Sequence, residues 1–174
     1  MAEFISSESE KLALEHEAAR LFMRAYEKDT GREIRHLWHN KPIKPDVSCL
    51  LEGDKLDIEV AHLYGSEEEA MQILGRSLSD ETRQALIEQS GEHNTNQRLL
   101  TALNRILAQK AGKTYRTRRV WLLIRNAHPQ WNAHIIRHLR SHICVPDYHP
   151  FEQIWILGDF AGKSGIIRLD NPSV

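Results

Sequence analysis

The stretch that decides the fold runs from Lys44 to His62 and reads KPDVSCLLEGDKLDIEVAH. Apolar and polar residues alternate on both sides of Gly53-Asp54, a glycine-first pair that suits a two-residue turn. Alternation with a period of two buries one face of a strand and exposes the other. The stretch therefore predicts a β-hairpin with one apolar face and one acidic face.

The predicted turn also fixes which residues of the two strands lie opposite each other. With Gly53 and Asp54 in the loop, Asp46 lies across from Ala61. Asp46 and Glu59 then become diagonal neighbours, roughly 7 Å apart at the backbone. Two carboxylates that close can both bind a hard cation such as Mg²⁺, which prefers oxygen ligands.

The hairpin resembles the PD-(D/E)XK nuclease superfamily, which includes restriction endonucleases and DNA-repair nucleases. The pattern of that superfamily is Pro-Asp, a hairpin, then an acid, any residue and a lysine. It is matched here by Pro45-Asp46 and, thirteen positions after that aspartate, by Glu59-Val60-Ala61. The resemblance implies that Asp46 and Glu59 bind Mg²⁺ or Mn²⁺, with the Val60 carbonyl as a further ligand. Ala61 departs from the pattern, because the superfamily has a lysine there that positions or activates the attacking water.

The resemblance suggests further candidate site residues. Lys44 and Lys41 lie just before the hairpin, and either can fold back to replace the missing lysine. Helices after the hairpin often carry a polar residue to the site in this superfamily, which points to Gln97. An acid from the first helix sometimes joins the metal ligands, which points to Glu17 or Glu15.

The whole chain predicts an α/β domain with a mixed central sheet flanked by helices. Apolar spacing predicts helices and strands in the following order: helix 8–28, strand 33–38, the hairpin, helix 95–110, strand 119–125, helix 131–143 and strands 154–157 and 166–169. Residues 66–93 are expected to form an acidic helical insertion. The order resembles a restriction-endonuclease-like core over about residues 8–126 of a single domain spanning 1–174, with a helix–strand–strand extension at 127–174.

Charge divides the chain into an acidic and a basic half. The net charge is only −1, but residues 1–90 hold 11 Lys and Arg against 19 Asp and Glu, whereas residues 91–174 hold 12 against 5. A basic half can supply phosphate contacts while the acidic half holds a metal, although the two halves can also simply attract each other. The candidate nucleic-acid contacts are Arg98, Lys110, Lys113, Arg116, Arg118 and Arg119.

The remaining composition excludes some classes of protein. No segment approaches the ~20 apolar residues of a membrane helix, and the N-terminus lacks the pattern of a signal peptide. Two cysteines, Cys49 and Cys144, are typical of a reduced protein. We therefore expect a cytoplasmic protein with no membrane partner.

The sequence thus predicts a divalent-metal-dependent nuclease that hydrolyses DNA phosphodiester bonds. A catalytically inactive nuclease-like module that binds nucleic acid or a protein partner is the first alternative, and an unrelated α/β interaction protein is the second. A lysine near Asp46 and Glu59 would favour the enzyme over the inactive module. Acids that point into open solvent would favour the interaction protein. A homodimer, or a protein partner on the acidic insertion, stays open.

Overall fold

The structure is a computed structural model that describes residues 7–40, 42–64 and 92–170. Within these ranges, three α-helices flank a six-stranded sheet. The elements in chain order are α1 (Ser7–Thr30), β1 (Ile34–His39), β2 (Val47–Leu51), β3 (Asp54–Leu63), α2 (Glu92–Ala111), β4 (Val120–Asn126), α3 (Ala133–His138), a 3-10 turn (Arg140–His142), β5 (Gln153–Leu157) and β6 (Ile166–Arg168). No helix in these ranges is both long and apolar enough to cross a lipid bilayer.

The six strands lie in the sheet in the order in which they occur in the chain. β2 is antiparallel to both β1 and β3, β4 is parallel to both β3 and β5, and β6 is antiparallel to β5. The predicted α/β class with a mixed central sheet is therefore confirmed. The predicted insertion at 66–93 lies outside the described residues, apart from Glu92 and His93, which belong to α2.

The predicted hairpin forms, but its turn lies one residue earlier than expected. The two loop residues are Glu52 and Gly53, with φ angles of 49° and 85°, and Leu51 pairs with Asp54. A type I′ turn needs positive φ at both loop positions. The prediction of a Gly53-Asp54 loop was wrong because glycine here takes the second loop position, while Glu52 accepts the left-handed conformation.

The earlier turn brings the two acids of the hairpin closer together than predicted. Val47 pairs with Ile58, so the same register continued by one residue places Asp46 directly beside Glu59. Moving the turn by one residue changes the cross-strand partner of each residue by two positions, and a change of two keeps every side chain on its face. The predicted apolar face is therefore retained, and the acids become direct neighbours rather than diagonal ones.

Two apolar cores cover the two faces of the sheet. On one face, α1 packs Phe22 and Tyr26 against Trp121 and Trp155, with Tyr26 and Trp121 ring centroids 5.3 Å apart. On the other face, leucines of α2 pack against alternate residues of β4 and β5. Ile58 and Val60 of β3 belong to the α1 core. Glu59 lies between them in β3, so it faces α2.

Strand β4 is buried along its whole length and carries a fully buried arginine, Arg125. The guanidinium donates to Glu17 of α1 at 3.0 Å and to the carbonyl of Phe160. It also lies 3.6 Å from the centroid of the Phe160 ring. Arg125 thereby joins α1 and β4 to the connection between β5 and β6.

Strands β1 and β6 form the two edges of the sheet. The pairing of β1 with β2 shifts register between Arg35 and Trp38. His36 lies within this irregularity and has a positive φ of 65°. At the other edge, β6 is only three residues long.

Candidate functional site

Asp46 and Glu59 are buried next to each other where β2 begins. Their exposed fractions are 6% and 2%. One carboxylate oxygen of Asp46, Oδ2, accepts a hydrogen bond of 2.9 Å from the amide of Val60. The two acids therefore do not point into open solvent, as an unrelated interaction protein would require. We call Asp46 and Glu59 the acid pair.

Two lysines contact the acid pair. Lys44 Nζ binds Asp46 Oδ1 and lies 3.9 Å from Glu59 Oε1. Lys110 reaches the pair from the last turn of α2, with its Nζ 3.3 Å from Glu59 Oε2. The hydroxyl of Tyr115 donates to the same oxygen at 2.7 Å. The two oxygens of Glu59 are thus in different surroundings.

Burial and mutual contact separate the protonation behaviour of the two acids. Burial raises the pKa of Glu59, and the hydrogen bond and charge of Asp46 raise it further. Burial also acts to raise the pKa of Asp46, but hydrogen bonds from Glu59, Lys44 and the Val60 amide outweigh it and hold that pKa below its usual value. Glu59 is therefore the member of the pair that holds a proton more readily.

Helix α1 supplies a third acid, Glu15, which is 4% exposed. Burial raises the pKa of Glu15, and the negative charge of Asp46 raises it further. Glu17, the other acid predicted from this helix, instead forms the ion pair with Arg125. Two residues along an α-helix turn the side chain by about 200°, so Glu15 and Glu17 face different sides of α1.

The donor chemistry of this site fits a hard divalent cation. Glu15, Asp46 and Glu59 offer carboxylate oxygens, the ligands that Mg²⁺ and Mn²⁺ prefer. Glu59 Oε1 is buried and has no hydrogen-bond partner among the described residues. Across ranges 7–40, 42–64 and 92–170, no three such side chains already surround one point. A cation would have to displace Lys44, whose side chain is half-exposed (51%).

The other predicted site residues lie further away or have different contacts. Gln97 is exposed near the start of α2, and its thirteen-residue separation from Lys110 corresponds to about 20 Å along a helix. Arg98 lies beside Gln97 and is likewise distant from the acid pair. Val60 contributes its amide to Asp46, and metal ligation by its carbonyl stays a prediction. Lys41 lies outside the described residues.

The predicted basic cluster divides into three groups. Lys110 lies at the acid pair, and Arg119 forms an ion pair of 2.9 Å with Glu152. Lys113, Arg116 and Arg118 are exposed on the segment between α2 and β4. Tyr115 lies within that segment and binds Glu59, so the segment that carries these three residues passes next to the acid pair.

A fourth buried acid, Asp57, was not predicted as part of the site. It is 3% exposed and accepts hydrogen bonds from the hydroxyls of Ser48 and Thr117. Ser48 in turn accepts from Asn40 at 2.6 Å. The sequence carried one signal for this network, since Asp57 stands two residues before Glu59 and therefore on the same face of β3.

No family model, curated protein or solved structure matches this chain. The interpretation of the site therefore depends on its own residues and their chemistry.

Proposed function

We propose that this protein is a divalent-metal-dependent nuclease that hydrolyses DNA phosphodiester bonds, with a PD-(D/E)XK-like site whose lysine has moved. The observation that carries the proposal is that Lys44 and Lys110 contact the buried acid pair, although Ala61 occupies the superfamily's lysine position. A helix, three strands, a further helix and a fourth strand also follow the order of the superfamily's core.

The acidic residues have the role of metal ligands in this proposal. Asp46, Glu59 and Glu15 would bind Mg²⁺ or Mn²⁺ through their carboxylate oxygens, and the Val60 carbonyl is a further candidate ligand. When bound, the cation would stabilise the negative charge that develops on the phosphate. The hydrogen bond from the Val60 amide holds the Asp46 carboxylate in place before any ligand arrives.

We assign the role of the missing lysine to Lys110. Ala61 lies two residues after Glu59, so both residues face α2, and Ala61 packs against the core on that side. Lys110 comes from α2 and contacts Glu59 Oε2. Its ammonium group can therefore orient an attacking water on the face where the superfamily's lysine stands. The Tyr115 hydroxyl, bonded to the same oxygen, fixes the orientation of the Glu59 carboxyl.

The DNA backbone would contact Lys113, Arg116 and Arg118. These three side chains are exposed, and Tyr115 links their segment to the acid pair. Lysine and arginine that neutralise phosphates release condensed counterions, so binding should weaken as salt increases.

An inactive nuclease-like module that binds nucleic acid or a protein partner is the second candidate function. One observation favours it: Lys44 binds Asp46 and lies 3.9 Å from Glu59, so its charge competes with a cation for both acids. Such a cluster can be a purely structural set of ion pairs. Calorimetry with Mn²⁺ separates the two functions, because only the nuclease requires that the acids bind a divalent cation.

The cytoplasm is the compartment in which we propose that the protein works. Cys49 is buried and Cys144 is exposed, and both are unpaired. Unpaired cysteines are typical of proteins in a reducing compartment.

The proposed activity is tested by comparing the wild type with Glu59→Gln on single- and double-stranded DNA, with Mg²⁺ and with Mn²⁺. Glu52→Gln is the matched control, because Glu52 lies at the hairpin turn and its half-exposed side chain binds Arg32. We expect metal-dependent cleavage by the wild type and the control, and a loss of about 100-fold or more in Glu59→Gln, since that change removes a ligand of the catalytic cation.

All three proteins are purified identically to exclude a contaminating nuclease. Equal cleavage by all three would show that the activity does not belong to the acid pair. No cleavage by any of them would favour the inactive module.

A further inference from the structure

A groove of about 200 Å³ adjoins Glu15 of α1. Its walls come from α1, with Lys11, Leu14 and Glu15, and from the end of β3 and the residue after it, with Val60, His62 and Tyr64. A separate groove of about 190 Å³ lies towards Asp46 and Lys44. Lys11 and Glu15 line both grooves. We call the first one the His62–Tyr64 groove.

The His62–Tyr64 groove presents two flat rings. The ring centroids of His62 and Tyr64 are 6.2 Å apart, and the ring planes differ by only 16°. Aromatic faces of this kind stack on nucleobases of any sequence, because every base has a flat face. The rings therefore offer a surface that suits a planar heterocycle.

Both rings also carry a polar atom without a partner. Nε2 of His62 and the hydroxyl of Tyr64 are buried and have no hydrogen-bond partner among the described residues. A buried polar group left unpaired destabilises the protein, because its lost hydrogen bonds to water are not replaced. Both atoms belong to residues that line the groove, so a small turn of either ring would present its polar atom to a ligand with a flat body and hydrogen-bonding groups on its edge, which is the chemistry of a nucleobase.

We propose that the His62–Tyr64 groove binds one unpaired nucleobase. This inference deepens the proposed function and relies on it for the position of the phosphate that is cleaved. Glu15 borders both the His62–Tyr64 groove and the groove at Asp46, so the phosphate next to the bound base would lie at the acid pair. Lys11 lines both grooves and would contact the backbone between them. A base inside a duplex has its pairing edge and both faces occupied, so it enters only after it has been flipped out of the stack, which costs free energy. The groove therefore favours single-stranded DNA, or DNA with an unpaired nucleotide.

The test uses a short oligonucleotide with one 2-aminopurine, single-stranded and in a duplex, in EDTA so that no cleavage occurs. Affinity is measured by anisotropy of an end label, and stacking by the fluorescence change of 2-aminopurine. We expect the single strand to bind at least about 10-fold more tightly than the duplex and its 2-aminopurine to be quenched. Tyr64→Ala should weaken binding of the single strand about 10-fold and abolish the quenching, because one stacking surface is lost.

Two further variants separate the stacking role of Tyr64 from effects on folding. Tyr64→Phe keeps the ring and removes only the unpaired hydroxyl, so it should retain the quenching even if Tyr64→Ala folds poorly. Tyr148→Ala removes a tyrosine that is 92% exposed and lies outside the groove, and it should match the wild type. Equal affinity for single strand and duplex, or quenching that persists in Tyr64→Ala, would overturn the inference.

The assay also separates this inference from the nuclease proposal. A wild type that fails to cleave DNA but shows quenching that depends on Tyr64 supports the groove and contradicts the nuclease. A wild type that cleaves DNA but shows no such quenching overturns the groove and leaves the nuclease proposal intact.

Discussion

Lys44 and Lys110 both neutralise the acid pair, but their surroundings differ. The Lys44 side chain is 51% exposed and reaches the acids from the loop before β2, whereas that of Lys110 is 24% exposed and comes from a helix. Lys44 also lies near both acids, where a divalent cation would be repelled by its charge. We infer that Lys44 substitutes for a cation, whereas Lys110 can keep its contact with Glu59 Oε2 when a cation is bound.

Replacing Lys44 should therefore tighten metal binding. Two unit charges near a protein surface interact by up to about 4 kcal/mol at 4 Å. Because Lys44 is half exposed, we expect Lys44→Met to gain about 1 kcal/mol, which is roughly fivefold in Mn²⁺ affinity. Calorimetric titration with Mn²⁺ measures the change.

Lys55→Met is the control for this titration, because Lys55 lies in the same hairpin and contacts Asp57 rather than the acid pair. An unchanged Mn²⁺ affinity in Lys44→Met would mean that Lys44 does not compete for the site.

The sequence could predict only the part of the site that lies within a few residues of the hairpin. Asp46, Glu59 and Lys44 come together through one turn and one register. Lys110 and Tyr115 are 51 and 56 residues from Glu59 along the chain. Strand alternation shows which face Glu59 occupies, but it does not show which end of which helix covers that face.

At the scale of elements, the hairpin turn decides how the two acids meet. Glu52 and Gly53 both have positive φ, and the Glu52 amide also donates to the carbonyl of Glu33 at 2.7 Å. The sequence pattern could not locate this turn, because a pairing shift of two residues leaves the same side chains on the same faces. Only the backbone conformation at Glu52 distinguishes the two registers.

Gly53→Ala should destabilise the hairpin by about 1 kcal/mol, because residues with a Cβ rarely adopt a φ of this sign. A Cβ at position 53, where φ is +85°, would meet nothing within 4 Å. The cost is therefore conformational rather than steric. Urea unfolding followed by circular dichroism gives the change in free energy of unfolding.

Gly112→Ala serves as the comparison, since a Cβ there makes only ordinary contacts, at 3.6 Å or more, and its φ lies outside the positive range. We expect that variant to be at least as stable as the wild type. Equal stability of Gly53→Ala and wild type would contradict the assigned turn.

At the scale of the whole molecule, ion pairs join the acidic and basic halves of the chain. Glu17 binds Arg125 and Glu59 binds Lys110. The charge asymmetry therefore contributes to the folded structure, in addition to any contact that it makes with phosphates. The sequence predicted the strand at 119–125, but it gave no sign that Arg125 would be fully buried within it. A charged residue is rarely buried unless it is paired, and its partners come from distant segments.

Replacing Arg125 should loosen the connection of α1 and the β5–β6 segment to β4. Arg125→Met keeps much of the side-chain volume but leaves the Phe160 carbonyl without its donor, and we expect a loss of about 2–3 kcal/mol in the free energy of unfolding. Glu17→Gln should cost only about 1 kcal/mol, because the Glu17 side chain is 45% exposed.

Urea titration of both variants beside the wild type measures these costs. If Arg125→Met were as stable as the wild type, the buried guanidinium would not be a structural link.

The two edge strands also affect how copies of this protein behave beside one another. β1 has an irregular register and a left-handed residue at His36, and β6 offers only three residues. Short or distorted edges are poor templates for the addition of a strand from another chain. The edges formed by the described strands therefore disfavour growth of the sheet into intermolecular aggregates, and we expect a dimer to form through side-chain contacts rather than through a sheet continuous across two copies.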